Sequence, residues 1–194
     1  VLSLPQPRLI EICSSWVLES LQYLRQHTPL TNVLLRGCLL MPGEFDVSDA
    51  GAVATGEVPR PGDPRREEVR QALSHAVRHG LLIYLPAEER YCVPFPVRLS
   101  FEGVDFLDPL KRDTLRMRLV LHFSALAREL STETHLSSPK YWRFTNILTA
   151  YETATDLMEE LLGLDDEAWV DFPHRLDSVP ESLIPALLDF CSFL

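Results

Sequence analysis

The sequence lacks every short motif that would carry a known chemistry. It contains no GxGxxG or GxxxxGK[ST] loop for phosphates, no HExxH zinc helix and no GxSxG nucleophile turn. Among the six histidines, only His75 and His79 share a helical i, i+4 spacing. Without a third ligand at a fixed spacing, this pair is expected to be solvated or to cap a helix end. The sequence therefore predicts no enzyme activity, no cofactor and no metal site.

Cysteine is sparse and shows no pattern. The four cysteines, Cys13, Cys38, Cys92 and Cys191, are far apart, and each lies in an apolar run. No CxxC or Cys/His spacing occurs, which argues against a zinc site and against a disulfide framework. Buried free thiols are therefore expected, and they are typical of a reducing cytoplasm.

Lysine is nearly absent, and the chain is acidic. Only Lys111 and Lys140 accompany sixteen arginines, which we interpret as a bias of genome composition. The net charge of −10 argues against a dedicated nucleic-acid binder, because phosphate neutralisation requires a basic face. No apolar run reaches the roughly 18 residues of a membrane span. The first residues have no signal-peptide layout, and both ends look cut, which predicts a segment of a longer protein.

Helical periodicity dominates what is present. Residues 1–29 form a leading helix, predicted from Pro5 to Gln26, with apolar residues at spacings of three and four. A second helix is predicted over Leu30–Met41, where Gly37 would allow a neighbouring helix to come close. Residues 98–194 are interpreted as helical hairpins. Their predicted helices are Asp108–Leu130, Ser138–Leu162, a short Asp165–Trp169 and Pro180–Leu194.

Residues 30–97 contain three helices followed by two strands. After the break at Pro42-Gly43, Phe45 is expected in the core, and Asp46 or Ser48 caps a short helix that Gly56 ends. Asp63-Pro64 starts a third helix, and Gly80 ends it. Strands are predicted at Leu81–Leu85 and Tyr91–Val97, joined by a polar turn. Because Pro94 and Pro96 lack ladder donors, both strands are predicted to be edge strands.

This order of elements is the plan of a winged helix. The predicted fold is mostly α: a winged-helix domain at 30–97, then antiparallel helical hairpins at 98–194 that resemble the start of a TPR-like array. In DNA-binding winged helices the third helix enters the major groove. Its basic residues here, and so the candidate DNA contacts, are Arg65, Arg66, Arg70 and Arg78. Acidic residues accompany them, namely Glu67 and Glu68 on the helix and Glu88 and Glu89 at the turn, so nucleic-acid binding is not expected.

Several segments resemble one family of signalling proteins. VLLRGCLLMPGEFDVSDAGAVAT and EVRQALSHAVRHGLLIYLPAEERYCV are similar to the winged helix that follows the ATPase module of STAND (NB-ARC-like) regulators. RDTLRMRLVLHFSALAREL and YWRFTNILTAYETATDLMEEL resemble the helices that open the following helical array. One position departs from the family: a histidine that senses nucleotide often follows the second wing strand, and here Pro94 stands near that place. No residue is therefore assigned to nucleotide sensing.

The resemblance implies a regulatory role without catalysis. The expected function is a protein-interaction segment that couples an ATPase switch to a helical sensor array in a cytoplasmic signalling protein. The expected partners are an ATPase module or helical repeats of the same longer chain, with a second copy of the chain as a further candidate; no membrane partner is expected. The alternative is a winged-helix transcription regulator with a helical dimerisation or ligand domain.

Overall fold

The computed structural model describes residues 6–101, 109–132, 141–162 and 180–193, and these residues are mostly helical, as predicted. The helices are α1 Gln6–His27, α2 Pro29–Leu39, α3 Val47–Thr55, α4 Pro64–Arg78, α5 Phe95–Phe101, α6 Pro109–Thr132, α7 Phe144–Leu162 and α8 Leu183–Phe193. A 3-10 turn, Tyr141–Arg143, precedes α7, and strands β1 Ile83–Leu85 and β2 Arg90–Cys92 pair antiparallel. In the described part of the chain, no helix has the length and apolarity to cross a membrane.

Two compact units divide the chain, Val1–Arg112 and Asp113–Leu194. In the first unit, α1 packs against α2 and α5, so the leading helix shares a core with the segment predicted as the domain 30–97. The second unit contains α6 from Asp113 onward, α7 and α8. The short helix predicted at Asp165–Trp169 and the helix start predicted at Ser138 lie outside the described residues.

Local chemistry sets the ends of α3 and α4. The Asp46 carboxylate accepts hydrogen bonds from the backbone N–H groups of Ser48 and Asp49 at 2.7 and 2.9 Å, and the Asp49 carboxylate accepts from the Asp46 N–H at 3.1 Å. This reciprocal capping box satisfies donors that the first helical turn leaves free. Gly56 and Gly80 end their helices with positive φ of 83° and 69°. The predicted helix ends are confirmed.

The helices of the first unit pack closely around a continuous core. A methyl group on Gly37 would approach the backbone nitrogen of Ala54 to 3.3 Å, so the predicted close approach at Gly37 is confirmed, and the neighbour is α3. Phe45 is fully buried, as predicted. The largest other fully buried side chains of this unit are Leu24, Leu34, Leu35, Met41, Leu73, Leu81 and Leu82.

The sheet contains one pairing that the sequence did not indicate. Tyr91 in β2 pairs with Tyr84 on one side and bridges to Phe45 on the other, with N···O distances of 2.8 and 3.0 Å to Phe45. The predicted two-stranded sheet is confirmed, and the isolated bridge to Phe45 covers one residue on the outer side of β2. Because Tyr91 directs both backbone groups to Phe45, the Tyr84 N–H and C=O face the other edge of the sheet. Pro86, the next residue on that side, has no N–H, which makes this edge poor for strand addition.

The predicted strand Tyr91–Val97 is too long, and a helix takes its second half. The backbone N–H of Val97 donates to the Pro94 carbonyl at 3.0 Å, which forms the first turn of α5. Pro96 lies in that turn, where its missing N–H costs no hydrogen bond. The two prolines that end the strand therefore also allow a helix to start at once.

In the second unit, long side chains link the three helices. Arg116, in the first half of α6, contacts Glu160, near the end of α7, at 2.8 Å. The Nε of Arg128 in α6 donates to Asp189 of α8 at 2.8 Å. The rings of Tyr151 and Phe190 join α7 to α8. The buried core of this unit consists of Leu115, Leu119, Val120, Phe123, Ala127, Leu130, Ile147, Ala150, Ala154, Leu157, Leu183, Ala186 and Phe190.

Candidate interaction surface

Two of the four arginines that were predicted to contact DNA form ion pairs within the first unit. Arg65 pairs with Glu57 of the preceding loop, and both side chains are about two-thirds exposed. Arg70 contacts Glu67, one turn earlier in α4, at 3.3 Å. Exposed pairs of this kind contribute little stability, about 0–1 kcal/mol, but they lower the net positive charge that α4 would present to a phosphate backbone.

Arg66 and Arg78 have different environments. The Arg66 guanidinium donates to the Ser48 hydroxyl at 2.9 Å and to the Pro59 carbonyl at 3.3 Å, so it ties α4 to α3 and to the connecting loop. Arg78 is exposed in the last turn of α4 and has no ion pair within the described ranges. The structure places all four arginines on one helix but commits three of them to internal partners. Contact of Arg65, Arg66, Arg70 and Arg78 with DNA stays a prediction.

A groove of about 310 Å³ lies beside Arg65. The start of α2, the end of α3, the connecting loop and the first turns of α4 form it. Leu30, Val58 and Val69 give it an apolar floor, and Val58 is 54% exposed. Val58 and Leu30, both exposed, give the groove an apolar surface that a partner side chain can contact.

The rim of this groove is acidic. Glu57, Asp63 and Glu68 also line the groove, and among the described lining residues Arg65 is the one basic side chain. Arg65 already pairs with Glu57, and Asp63 accepts the backbone N–H of Arg65 as the cap of α4. Glu68 has no hydrogen bond or ion pair within the part of the chain that the structure describes. The groove therefore fits an apolar group flanked by positive charge.

The paired histidines belong to a helix end and its aromatic neighbours. His79 is the C-terminal cap of α4, as the capping interpretation predicted, and its ring lies 5.1 Å from that of Tyr23 in α1. Tyr23 stacks in turn on His27, at 4.3 Å between ring centroids. Within the described ranges, no three His, Cys, Asp or Glu side chains are grouped as metal ligands.

The cysteines differ in exposure. Cys38 is fully buried, and burial raises the pKa of its thiol far above the usual value. Cys92 is half-buried, and burial, followed by the charge of Glu44, raises its pKa as well. Cys191 in α8 is exposed, so the prediction of buried thiols is wrong there, because the other face of α8 supplies its core contacts. The Cys13 side chain lies outside what the structure describes.

Sequence patterns pointed to the arginines of α4 but missed the groove. Its one sequence signal is Val58, the only aliphatic side chain other than proline in the polar loop EVPRPGDP. The ion pairs that occupy the arginines join residues from different elements, which no local spacing reveals. No protein-family model, curated protein or solved structure matches the chain.

Proposed function

We propose that residues 30–97 form a winged helix and that the chain is a non-catalytic regulatory segment of a signalling protein of the STAND type. The order of elements supports the first part: α2, the extended residue Phe45, α3, α4 and the β1–β2 hairpin follow one another. The isolated bridge from Phe45 to Tyr91 also supports it, because it brings the segment between α2 and α3 beside the hairpin.

The groove beside α4 carries the proposal. Its apolar floor and acidic rim favour a protein surface with an apolar side chain flanked by basic residues. The internal pairing of Arg65, Arg66 and Arg70 favours a protein partner over DNA. The partner is an ATPase module, as the family resemblance implies, in the same longer chain or in a second copy.

The mechanism is a change of packing rather than a chemical step. In the resting state the winged helix docks on the ATPase module through the groove. A change of bound nucleotide alters the affinity of that module for the groove, and the winged helix then moves as a rigid body. Helices α6, α7 and α8 have alanines at their buried faces, and they begin a TPR-like sensor array in the cytoplasm.

Site-specific photo-crosslinking tests this proposal. A benzophenone amino acid is placed at Val58 in the groove and, as a matched control, at the exposed Ala87 in the hairpin turn. Both proteins are expressed in the native cells and irradiated, and the adducts are identified by mass spectrometry. We expect the Val58 probe to join an ATPase module and the Ala87 probe not to do so. Absence of an ATPase adduct, or equal adducts from both positions, would contradict the proposal.

DNA binding is the second candidate, and the exposed Arg78 favours it. A random-sequence duplex titrated at about 100 mM salt distinguishes the two functions, because phosphate contacts give a steep salt dependence. The regulatory proposal predicts no saturable binding. Binding that falls with added salt and is lost in Arg66→Ala and Arg70→Ala would instead establish the transcription regulator.

A further inference from the structure

Positive and negative charges are unequal in the groove beside α4. Three carboxylates, those of Glu57, Asp63 and Glu68, line it together with the single guanidinium of Arg65 among the described lining residues. Three negative charges against one positive charge leave the lining with a net charge of −2. Glu68 is exposed, and its carboxylate has neither a hydrogen bond nor an ion pair within the described ranges. The groove therefore attracts cations more strongly than Arg65 alone can satisfy.

Arg65 already occupies the place that a basic ligand would take. It extends from the first turn of α4 to Glu57 in the loop after α3, so its ion pair joins two of the segments that line the groove. Both side chains are about two-thirds exposed, and water therefore screens the pair, which contributes little stability. A cation from another molecule can replace Arg65 at Glu57 without breaking a buried contact.

Apolar side chains beside these charges offer a second kind of contact. Val58 and Leu30 are both exposed, and both line the groove. Val58 follows Glu57 in the chain, so an aliphatic side chain that packs on Val58 brings the next residue of its own chain close to Glu57. Burial of the aliphatic group then favours binding, and the paired charges fix its orientation and its specificity.

We propose that Arg65 is a built-in competitor for this groove, and that a partner docks by replacing it at Glu57 with an arginine or lysine of its own. The docked segment carries an aliphatic side chain for Val58 between two basic residues, one for Glu57 and one for Glu68. Because docking requires Glu57 to be free, the ion pair with Arg65 reduces the apparent affinity in proportion to its population. This inference rests on the groove being the docking surface of the function proposed above, and it adds the regulation of that surface.

Peptide binding to the full chain, measured by fluorescence polarisation, tests this inference. The first probe is a short labelled peptide with one leucine between two arginines in a glycine–serine background. In the matched probes, alanine replaces the leucine or glutamine replaces both arginines. We expect saturable binding of the leucine–arginine peptide. Each matched peptide should bind at least about fivefold more weakly, because each lacks one of the two kinds of contact.

Paired variants separate the groove from the overall negative charge of the chain. Arg65→Gln and Arg60→Gln each remove one exposed positive charge, but only Arg65 lines the groove. Arg65→Gln should bind the leucine–arginine peptide at least about threefold more tightly because it frees Glu57, whereas Arg60→Gln should change the affinity less than about twofold. Glu68→Gln should weaken binding at least about threefold, and Glu67→Gln, which lies outside the groove, should not.

Several results would overturn the inference. The leucine–arginine peptide could fail to bind saturably, or the glutamine-flanked peptide could bind as tightly, which would indicate an uncharged occupant. Arg65→Gln could weaken binding, or change it no more than Arg60→Gln does. An ATPase adduct at Val58 without peptide binding would overturn this inference alone. Peptide binding that Arg65→Gln strengthens, without such an adduct, would support this inference and overturn the regulatory function.

Discussion

At the scale of single residues, Asp46 decides where α3 begins. Its carboxylate holds two backbone N–H groups, and its own N–H is held by Asp49. We expect Asp46→Ala to lower the free energy of unfolding by about 0.5–2 kcal/mol, because the capped donors lose their acceptor. Asp46→Asn keeps a capping oxygen and should lose much less. Urea unfolding of both variants measures the difference, and equal losses would show that capping is not the cause.

Thiol reactivity follows exposure in this chain. Iodoacetamide should label Cys191 at least about tenfold faster than Cys38, because Cys38 is buried and its raised pKa keeps the reactive thiolate scarce. Cys92 should react at an intermediate rate. Peptide mapping after timed labelling gives the three rates, and urea should abolish the difference. Rapid labelling of Cys38 in the folded protein would contradict its placement in the core.

The arginines of α4 illustrate what a sequence reveals at this scale and what it does not. Helical periodicity placed Arg65, Arg66, Arg70 and Arg78 on one element, because that spacing is local. The contact from Arg66 to Ser48 spans 18 residues and depends on how α3 and α4 pack. A sequence pattern therefore predicts which charges share a helix, but not which of them the fold neutralises.

At the scale of elements, Gly51 sets how closely α3 approaches the following loop. A methyl group there would come to 2.7 Å from the ring carbons of Pro59, which is closer than atoms can pack. Overpacking costs about 1–3 kcal/mol, whereas alanine gains about 1 kcal/mol in helix propensity over glycine. We therefore expect Gly51→Ala to lower the free energy of unfolding by at most about 2 kcal/mol.

Gly62→Ala is the matched comparison for this prediction. Gly62 has φ of 84° and open space around it, so alanine there costs only backbone strain, about 1–2 kcal/mol. The crystal structures of the two variants should differ: only Gly51→Ala should displace the Pro59 loop. An undisplaced loop and unchanged stability in Gly51→Ala would contradict the close packing.

Arg98 joins α5 to the end of α2. Its guanidinium donates to the carbonyl oxygen of Leu39, the last residue of α2, and to that of Met41, two residues later. Arg98→Gln should lower the free energy of unfolding by about 1–3 kcal/mol, since half-buried acceptors lose their donor. Arg98→Lys keeps the positive charge but not the forked donors, so its free energy of unfolding should lie between those of the wild type and Arg98→Gln. Chemical denaturation measures both, and a loss under about 0.5 kcal/mol in Arg98→Gln would contradict this role.

Most elements of the first unit could be predicted because their signals are local. Asp46, Asp63, Gly56 and Gly80 mark helix ends through contacts within a few residues. The short helix α5 escaped prediction because an X-Pro step favours extended backbone, while Pro96 is equally acceptable in a first helical turn. The pairing of Phe45 with Tyr91 could not be predicted from local patterns, because the two residues are far apart in sequence.

At the scale of the whole molecule, the negative charge is unevenly distributed. Residues 113–194 contain fourteen acidic and six basic residues, whereas residues 1–112 contain fourteen and twelve. The first unit is thus nearly neutral, and the excess acid belongs mainly to the second. The negative electrostatic potential that this excess of acidic residues produces disfavours association with nucleic acid and favours partners with basic surfaces.

The nucleotide dependence of docking tests the central claim most directly. The benzophenone probe at Val58 is irradiated in the native assembly with ADP and with a non-hydrolysable ATP analogue, and the ATPase adduct is quantified for each. If the winged helix docks in the resting state and leaves on activation, the adduct should be abundant with ADP and several-fold lower with the ATP analogue. An adduct yield that is the same with both nucleotides would contradict the proposed switch.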